Sequence, residues 1–133
     1  MRHLQGLLAS VFVAAILTTI LFAGMAGHGA WLTKVPENAR NRPNPLDGDP
    51  TAAAAGEKLF EQHCAQCHGA DAEGGKGPSL RSQHVAQATP GEIEWFLTNG
   101  SLKNGMPSWS RLPETQRWQL VAFLRSIQSP NPQ

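Results

Sequence analysis

The chain has 133 residues, with 11 Lys and Arg, 10 Asp and Glu, and a formal net charge of +1. That length predicts one domain. Residues 51–133 carry seven cationic and seven acidic side chains, so neither a nucleic-acid surface nor a strongly basic docking face is expected. Both cysteines lie in one motif, which leaves none for a disulfide. Because a domain of about 80 residues has a marginal core, we expect something else to stabilise it.

Residues 1–32 predict a single N-terminal transmembrane helix. No Asp, Glu, Lys or Arg occurs from Leu4 to Leu32. The densest apolar run, Leu7 to Ala26, has 20 residues, and a helix of that length spans about 30 Å. Arg2 precedes the run, and positive charge tends to stay inside. We therefore expect the rest of the chain to lie outside the cytoplasmic membrane, as in the periplasm.

A cleaved signal peptide is the alternative for the same segment. Gly24-Met25-Ala26 has the small-x-small pattern of a cleavage site. The apolar core of a signal peptide is about 7 to 15 residues long, and this run is longer. An uncleaved anchor is favoured, and both alternatives export the remaining chain.

Residues 33–50 predict a Pro-rich linker. The prolines are Pro36, Pro43, Pro45 and Pro50, with polar residues between them. Pro-rich chains run extended at about 3.1 Å per residue, which gives a reach of up to about 55 Å. An ordered segment that wraps the following domain is the alternative.

Residues 51–133 predict a small all-α domain, because helix caps and helical apolar spacing occur without any alternating strand pattern. Three helix starts are indicated: Pro50 after Asp49, Pro90 within the capping box Thr89-Pro90-Gly91-Glu92, and Glu114 after Pro113. The second helix is expected to stop at Asn99-Gly100 and the third at Pro130. The apolar face of the third is Leu120, Phe123, Leu124 and Ile127.

The segment Cys64-Ala65-Gln66-Cys67-His68 matches the C-x-x-C-H pattern of covalent c-type haem attachment. Residues three and four apart share a helix face, so one turn offers two thiols to porphyrin vinyl groups and one imidazole to iron. A redox dithiol would need a βαβ pattern. Half a zinc site, with His63 and His68, would need ligands that do not follow. Haem attachment is therefore favoured.

Met106 is the expected sixth ligand of the iron. It is the only Met after the motif, 38 positions beyond His68, and its neighbours Gly105 and Pro107 predict a tight turn. His with Met is a standard axial pair, and Met raises the reduction potential. The alternatives are a core-filling Met and ligation by His84 instead.

Together these motifs resemble the class I monohaem c-type cytochromes, over about Pro50 to Gln128. Gly56-x-x-x-Phe60 resembles the family's first helix, where a Gly and an aromatic residue meet the last helix, and Leu120 to Leu124 resembles that last helix. Gly77-Pro78-Ser79-Leu80 resembles the loop whose Pro carbonyl accepts a hydrogen bond from the ligand His. Gly105-Met106-Pro107 resembles the loop that carries the distal ligand. The chain has no Tyr, so Phe123 takes the aromatic place on the last helix.

The resemblance implies a small cytochrome c fold wrapped on one covalent haem c. The cofactor-binding residues would be Cys64, Cys67, His68, Met106, Pro78, Leu80 and Arg81, with His68 and Met106 as the metal ligands. The Arg81 guanidinium can pair with a haem propionate in the way Arg pairs with carboxylates, although a solvated Arg81 is equally compatible with the sequence. His63 is expected to point away from the iron.

Electron transfer is the expected function, because a His/Met iron has no open position for a substrate. The chain would be a carrier and not an enzyme, passing electrons between a dehydrogenase or quinol-oxidising complex and a terminal acceptor. Its partners would be a redox donor, a redox acceptor and the membrane. The alternatives are a dedicated haem subunit of an oxidoreductase complex, and a haem peroxidase or gas sensor with a displaceable sixth ligand.

The anchor generates the first prediction. The protein should stay with membranes through a high-salt or carbonate wash, because a 20-residue apolar helix does not partition into water. Mass spectrometry of the membrane fraction should find the intact N-terminus. A soluble product that starts near Gly27 would show that the segment is a cleaved signal peptide.

Overall fold

The structure, a computed structural model, describes residues 31–128. Within that range the regular structure is helical. The α-helices are α1 (Glu37–Arg40), α2 (Pro50–His63), α3 (Ala65–His68), α4 (Gln83–Gln87), α5 (Pro90–Asn99) and α6 (Glu114–Ser126), with 3-10 turns at Leu32–Lys34 and Leu102–Asn104. The predicted membrane helix lies outside the described residues. Among residues 31–128, no helix is both long and apolar enough to cross a membrane.

The cap signals confirm the three predicted helix starts. The Asp49 carboxylate accepts hydrogen bonds from the backbone N–H groups of Thr51 and Ala52, at 2.8 and 3.3 Å, where α2 begins. At the start of α5 both halves of the Thr89–Glu92 capping box are present, and α6 begins at Glu114. Because a side-chain cap satisfies backbone donors locally, the starts of α2 and α5 are determined by adjacent residues. The start of α6 follows Pro113 without a side-chain cap.

Two features of the helices differ from the sequence expectation. The helix α6 ends at Ser126, before the predicted stop at Pro130. The Ser126 hydroxyl donates to the carbonyl of Phe123 at 2.7 Å, a side-chain bond of the kind that competes with helix continuation. The short helices α1 and α4 were not predicted, since neither has room for a helical apolar period.

The core is built where α2 crosses α6. A Cβ placed on Gly56 would lie 2.0 Å from the backbone oxygen of Gln119 and 2.9 Å from the Cβ of Phe123, so the two backbones approach closely. The rings of Phe60 and Phe123 lie next to this point, with centroids 5.2 Å apart, and Phe60 is 1% exposed. The expected meeting of a Gly and an aromatic residue with the last helix is confirmed.

Ion pairs tie the N-terminal segment, defined as residues 31–49, to the helices. Glu92 and Glu94 of α5 are only 6% and 4% exposed. The Nε of Arg40 lies 2.9 Å from Glu92 Oε1, in contact although its N–H is not aligned with that oxygen, and Arg42 Nη1 lies 3.5 Å from Glu94 Oε2. The Nε of Arg117, on α6, donates to Glu94 at 2.8 Å. Because an unpaired buried carboxylate is costly, these pairs favour the packed segment over a free one.

Backbone contacts hold the same segment. The side-chain amide of Asn44, which is 6% exposed, donates to the Trp118 carbonyl at 3.1 Å. A Cβ on Gly91 would lie 2.0 Å from the carbonyl oxygen of Ala39. The extended linker expected over residues 33–50 is therefore not what the structure has. Residues 31–49 form the ordered segment that the sequence left open as the alternative.

The crossing of α2 and α6 generates the second prediction. Ala is normally the better helix former, yet Gly56→Ala should lower the free energy of unfolding by about 3 kcal/mol, because the new methyl group has no space beside Gln119. Chemical denaturation measures the change. The control is Glu57→Ala, at an exposed position on the same helix, which should stay within about 0.5 kcal/mol. Equal effects of the two substitutions would contradict the close approach.

Candidate haem site

The two cysteines and the histidine of the C-x-x-C-H motif lie on one short turn that follows α2. Cys64 directly follows α2 and precedes α3, with φ −119° and ψ −36°. Its carbonyl accepts the N–H groups of both Cys67 and His68, at 3.1 and 2.9 Å. Because these bonds close a single turn, the three side chains come from one rigid piece of backbone.

The two thiols have different surroundings. Cys64 is half-buried, Cys67 is exposed, and both are free of disulfides. Burial, and after it the neighbouring Cys67, raise the pKa of the Cys64 thiol to about 11. A reactive dithiol needs a lowered pKa and an electropositive setting, so this environment does not favour the redox-dithiol alternative.

His68 is fixed by a hydrogen bond to the next loop. The imidazole is 9% exposed, and its Nδ1 lies 2.8 Å from the carbonyl oxygen of Pro78, the acceptor that the resemblance implied. Since a carbonyl only accepts, Nδ1 carries the proton, and Nε2 is the nitrogen available to a metal. A Cβ on Gly77 would lie 2.9 Å from His68 Cε1, so the loop backbone packs directly against the ring.

Leu80 and Arg81 extend that loop toward the end of α6. Leu80 is half-buried, packs against the core, and donates its N–H to the Ala72 carbonyl at 2.8 Å. The Arg81 side chain donates to two backbone carbonyls, from Nε to Asp71 at 2.7 Å and from Nη1 to Ile127 at 3.0 Å. No sequence pattern predicts these bonds, because their acceptors are backbone atoms. Pairing of Arg81 with a propionate stays a prediction.

Met106 lies on a tight turn, as its Gly and Pro neighbours predicted. Ser101 and Met106 exchange two backbone hydrogen bonds, at 2.8 and 3.1 Å. Gly105, just before Met106, has φ +83°, a conformation that favours glycine. The Met106 side chain is half-buried and packs against the core. Its role as a ligand stays a prediction.

The other two histidines of the domain lie in different surroundings. His84 is half-buried on α4. The His63 ring packs on Trp109, with centroids 5.2 Å apart, a contact between the end of α2 and the residues after Met106. Sequence spacing could not reveal this contact, because it joins distant parts of the chain.

The residues present fit a covalently bound haem. The turn supplies two thiols and one imidazole, the imidazole proton is fixed on Nδ1 by Pro78, and a thioether is available on the Met106 turn. The zinc alternative gains no support, since residues 31–128 contain no group of three or more His, Cys, Asp or Glu side chains placed to hold a metal ion. This donor set has the nitrogen and sulfur character of c-type haem iron.

Residues 51–124 match the family described as cytochrome c oxidase, cbb3-type, subunit III. The chain belongs to this family. The match covers more than half of the chain, and a class I monohaem c-type cytochrome fits it. Domains of this kind are electron carriers and not themselves enzymes, and they imply haem c as the cofactor. The mostly helical, cytochrome c-like fold expected from the sequence is confirmed.

Two individual proteins are also similar to this chain in sequence. The chain is 46% identical over 64 residues to the cbb3-type cytochrome c oxidase subunit CcoP of Rubrivivax gelatinosus, across 47% of this chain and 21% of that protein. It is 32% identical over 81 residues to the dihydro-heme d1 dehydrogenase of Pseudomonas aeruginosa, across 60% of this chain and 16% of that protein. The chain thus spans about a fifth, or less, of the length of these relatives.

A solved structure shares the fold. Cytochrome cL from Methylophaga aminisulfidivorans superposes with a TM-score of 0.56 at 30% sequence identity. The superposition covers 63% of this chain and 58% of that one.

Proposed function

We propose that this chain transfers single electrons through one haem c, held by thioethers at Cys64 and Cys67 and ligated by His68 and Met106. The observation that carries the proposal is the buried His68 ring, with Nδ1 2.8 Å from Pro78 O, directly after two cysteines on one turn. When bound, the haem supplies an iron that accepts and releases one electron.

The chain's own residues would determine what that iron can do. His68, oriented by the bond from its Nδ1 to Pro78, would offer Nε2 to the iron. Met106 would be the second ligand and would raise the potential, since a thioether favours reduced iron. The turn bonds between Ser101 and Met106 hold that ligand in place, which disfavours binding of an external substrate.

The partners of the proposed carrier are redox proteins at the membrane. We propose that residues 1–32 anchor the chain and that the haem domain lies outside the cytoplasmic membrane, in the periplasm, between a dehydrogenase or quinol-oxidising complex and a terminal acceptor. In residues 51–133 the cationic and acidic side chains balance, so docking would rest on local complementarity rather than on net charge.

A dedicated haem subunit of an oxidoreductase complex is the second candidate. It is favoured by the relatives, because the matched proteins are named as an oxidase subunit and a dehydrogenase. In both, the matching stretch is a small part of a longer chain. Purification in a gentle detergent separates the candidates: a carrier elutes alone, whereas a subunit elutes with its complex and its other cofactors.

Covalent attachment is the third prediction. The haem of the mature protein should survive acid acetone extraction, because thioethers resist it. Cys64→Ala and Cys67→Ala should each leave one bond and shift the pyridine haemochrome spectrum. Gln66→Ala, at the exposed position between them, is the matched control and should leave the spectrum unchanged. Haem that washes out of the wild-type protein would refute the proposal.

The axial pair is the fourth prediction. Met106→Ala should abolish the far-red Met-to-iron absorption band, lower the potential, and let cyanide or carbon monoxide bind readily, because it opens the sixth position. Met106→His should keep six ligands and still lower the potential, since a nitrogen replaces the sulfur. His84→Ala is the control and should change none of these. The opposite pattern, with His84→Ala altering the spectrum and Met106→Ala silent, would make the protein a bis-His cytochrome.

A further inference from the structure

The end of α6 is hydrogen-bonded to the loop that supports His68. The support loop is defined here as residues 77–81. The side-chain amide of Gln128 donates to the Leu80 carbonyl at 2.5 Å. In the other direction, Arg81 Nη1 donates to the Ile127 carbonyl at 3.0 Å. Two hydrogen bonds in opposite directions therefore join residues 127 and 128, which follow α6, to Leu80 and Arg81 of this loop.

The support loop is also bonded to the turn that precedes it. The Leu80 N–H donates to Ala72 O at 2.8 Å, and Arg81 Nε donates to Asp71 O at 2.7 Å. With the bond from Gln128, both the N–H and the C=O of Leu80 are occupied. Leu80 and Arg81 are thus held from two sides, by the turn at residues 71–72 and by the residues after α6.

These bonds matter because Pro78 cannot fix its own position. Proline has no N–H, so it contributes only its carbonyl, and that carbonyl faces His68 Nδ1. The placement of the oxygen is decided by its neighbours. On one side the Gly77 N–H donates to Cys67 O at 2.8 Å. On the other side, the Ser79 hydroxyl donates to Ala72 O at 3.5 Å and accepts the Arg81 N–H at 3.2 Å, and the bonds of Leu80 and Arg81 hold the residues beyond it.

We propose that Arg81 and Gln128 are positioning residues that hold the Pro78 carbonyl against His68 and so tune the reduction potential. The inference rests on the proposed ligation of iron by His68. A hydrogen bond from the outer imidazole nitrogen makes a ligating His a stronger donor. A stronger donor favours the oxidised iron. Loosening the support loop therefore weakens donation and moves the potential upward.

Three substitutions in the full-length haem-loaded protein test the proposal. Gln128→Met preserves the length and the neutral charge of the side chain but removes the N–H donor. Arg81→Ala removes both bonds of the guanidinium, and Arg81→Lys restores the charge without the fork that reaches two carbonyls. Arg81 is exposed, so each single substitution should have a small effect, and the Arg81→Ala/Gln128→Met double variant should have the largest.

Two measurements are expected to move together. The reduction potential should rise slightly in each single variant and most in the double variant. Solvent exchange of the His68 Nδ1 proton, followed by NMR, should become about ten-fold faster in the double variant, which corresponds to loss of the ordinary contribution of one hydrogen bond. Arg81→Lys should change the potential and the proton exchange as much as Arg81→Ala does. Because Lys keeps the positive charge, this result would show that the effect does not come from charge at a propionate alone.

Arg125, which lies on α6 three residues before Gln128, supplies a matched control. Its Nη1 donates to the carbonyls of Ala86 and Ala88, at 2.8 and 3.1 Å, and no bond joins it to the support loop among the described contacts. Arg125→Ala should lower stability without moving the potential or the proton exchange. The proposal is overturned if Arg125→Ala shifts both as much as the double variant does, or if the double variant shifts neither while keeping covalent haem and six ligands. Haem lost to acid acetone would instead refute the proposed function.

Discussion

The site depends on the contact between two backbones where Gly56 of α2 meets Gln119 of α6. Only a residue without a Cβ allows this approach, since the added atom would lie 2.0 Å from a backbone oxygen. One end of α2 leads directly into Cys64, and the residues after α6 bond to the support loop. The crossing therefore supports both ends of the site, while direct bonds from Gly77 N–H to Cys67 O and from His68 Nδ1 to Pro78 O join the C-x-x-C-H turn to the loop that orients its histidine.

The N-terminal segment shows how buried charge selects one arrangement of a chain that composition alone leaves open. Prolines and polar residues indicate an extended linker, and those residues do not form a long helix. Three arginines of the domain, Arg40, Arg42 and Arg117, meet Glu92 and Glu94 on α5. Release of the segment would take Arg40 away from the buried Glu92 and Arg42 away from Glu94, which would leave Glu94 paired with Arg117 alone. The same Pro-rich stretch is thereby part of the domain and does not act as a spacer of about 55 Å.

The sequence predicted the features that depend on neighbouring residues and missed those that depend on contacts between distant parts of the chain. Helix starts at Pro50 and Pro90 were predictable because a cap is decided by residues within one turn, and the start at Glu114 because Pro113 directly precedes it. The C-x-x-C-H motif and the Met106 turn are local in the same sense. The bond from His68 to Pro78 spans ten positions and was anticipated only through family resemblance. The bonds of Arg81 and Gln128 end on carbonyl oxygens, which every residue carries, so no pattern of side chains marks their acceptors.

The two sides of the proposed iron site are held by different kinds of interaction. The His68 side depends on long-range bonds, from Cys67 through the support loop to Gln128, so a change far along the chain reaches it. The Met106 side depends on a local turn, closed by its two bonds to Ser101 and by the conformation of Gly105. A local turn opens at lower cost than a network that spans the core. If His68 and Met106 are the ligands, as proposed, long-range packing would tune the potential through the histidine, whereas the methionine turn would govern the entry of an external ligand. Electron transfer and ligand exchange would then be controlled by separate parts of the chain.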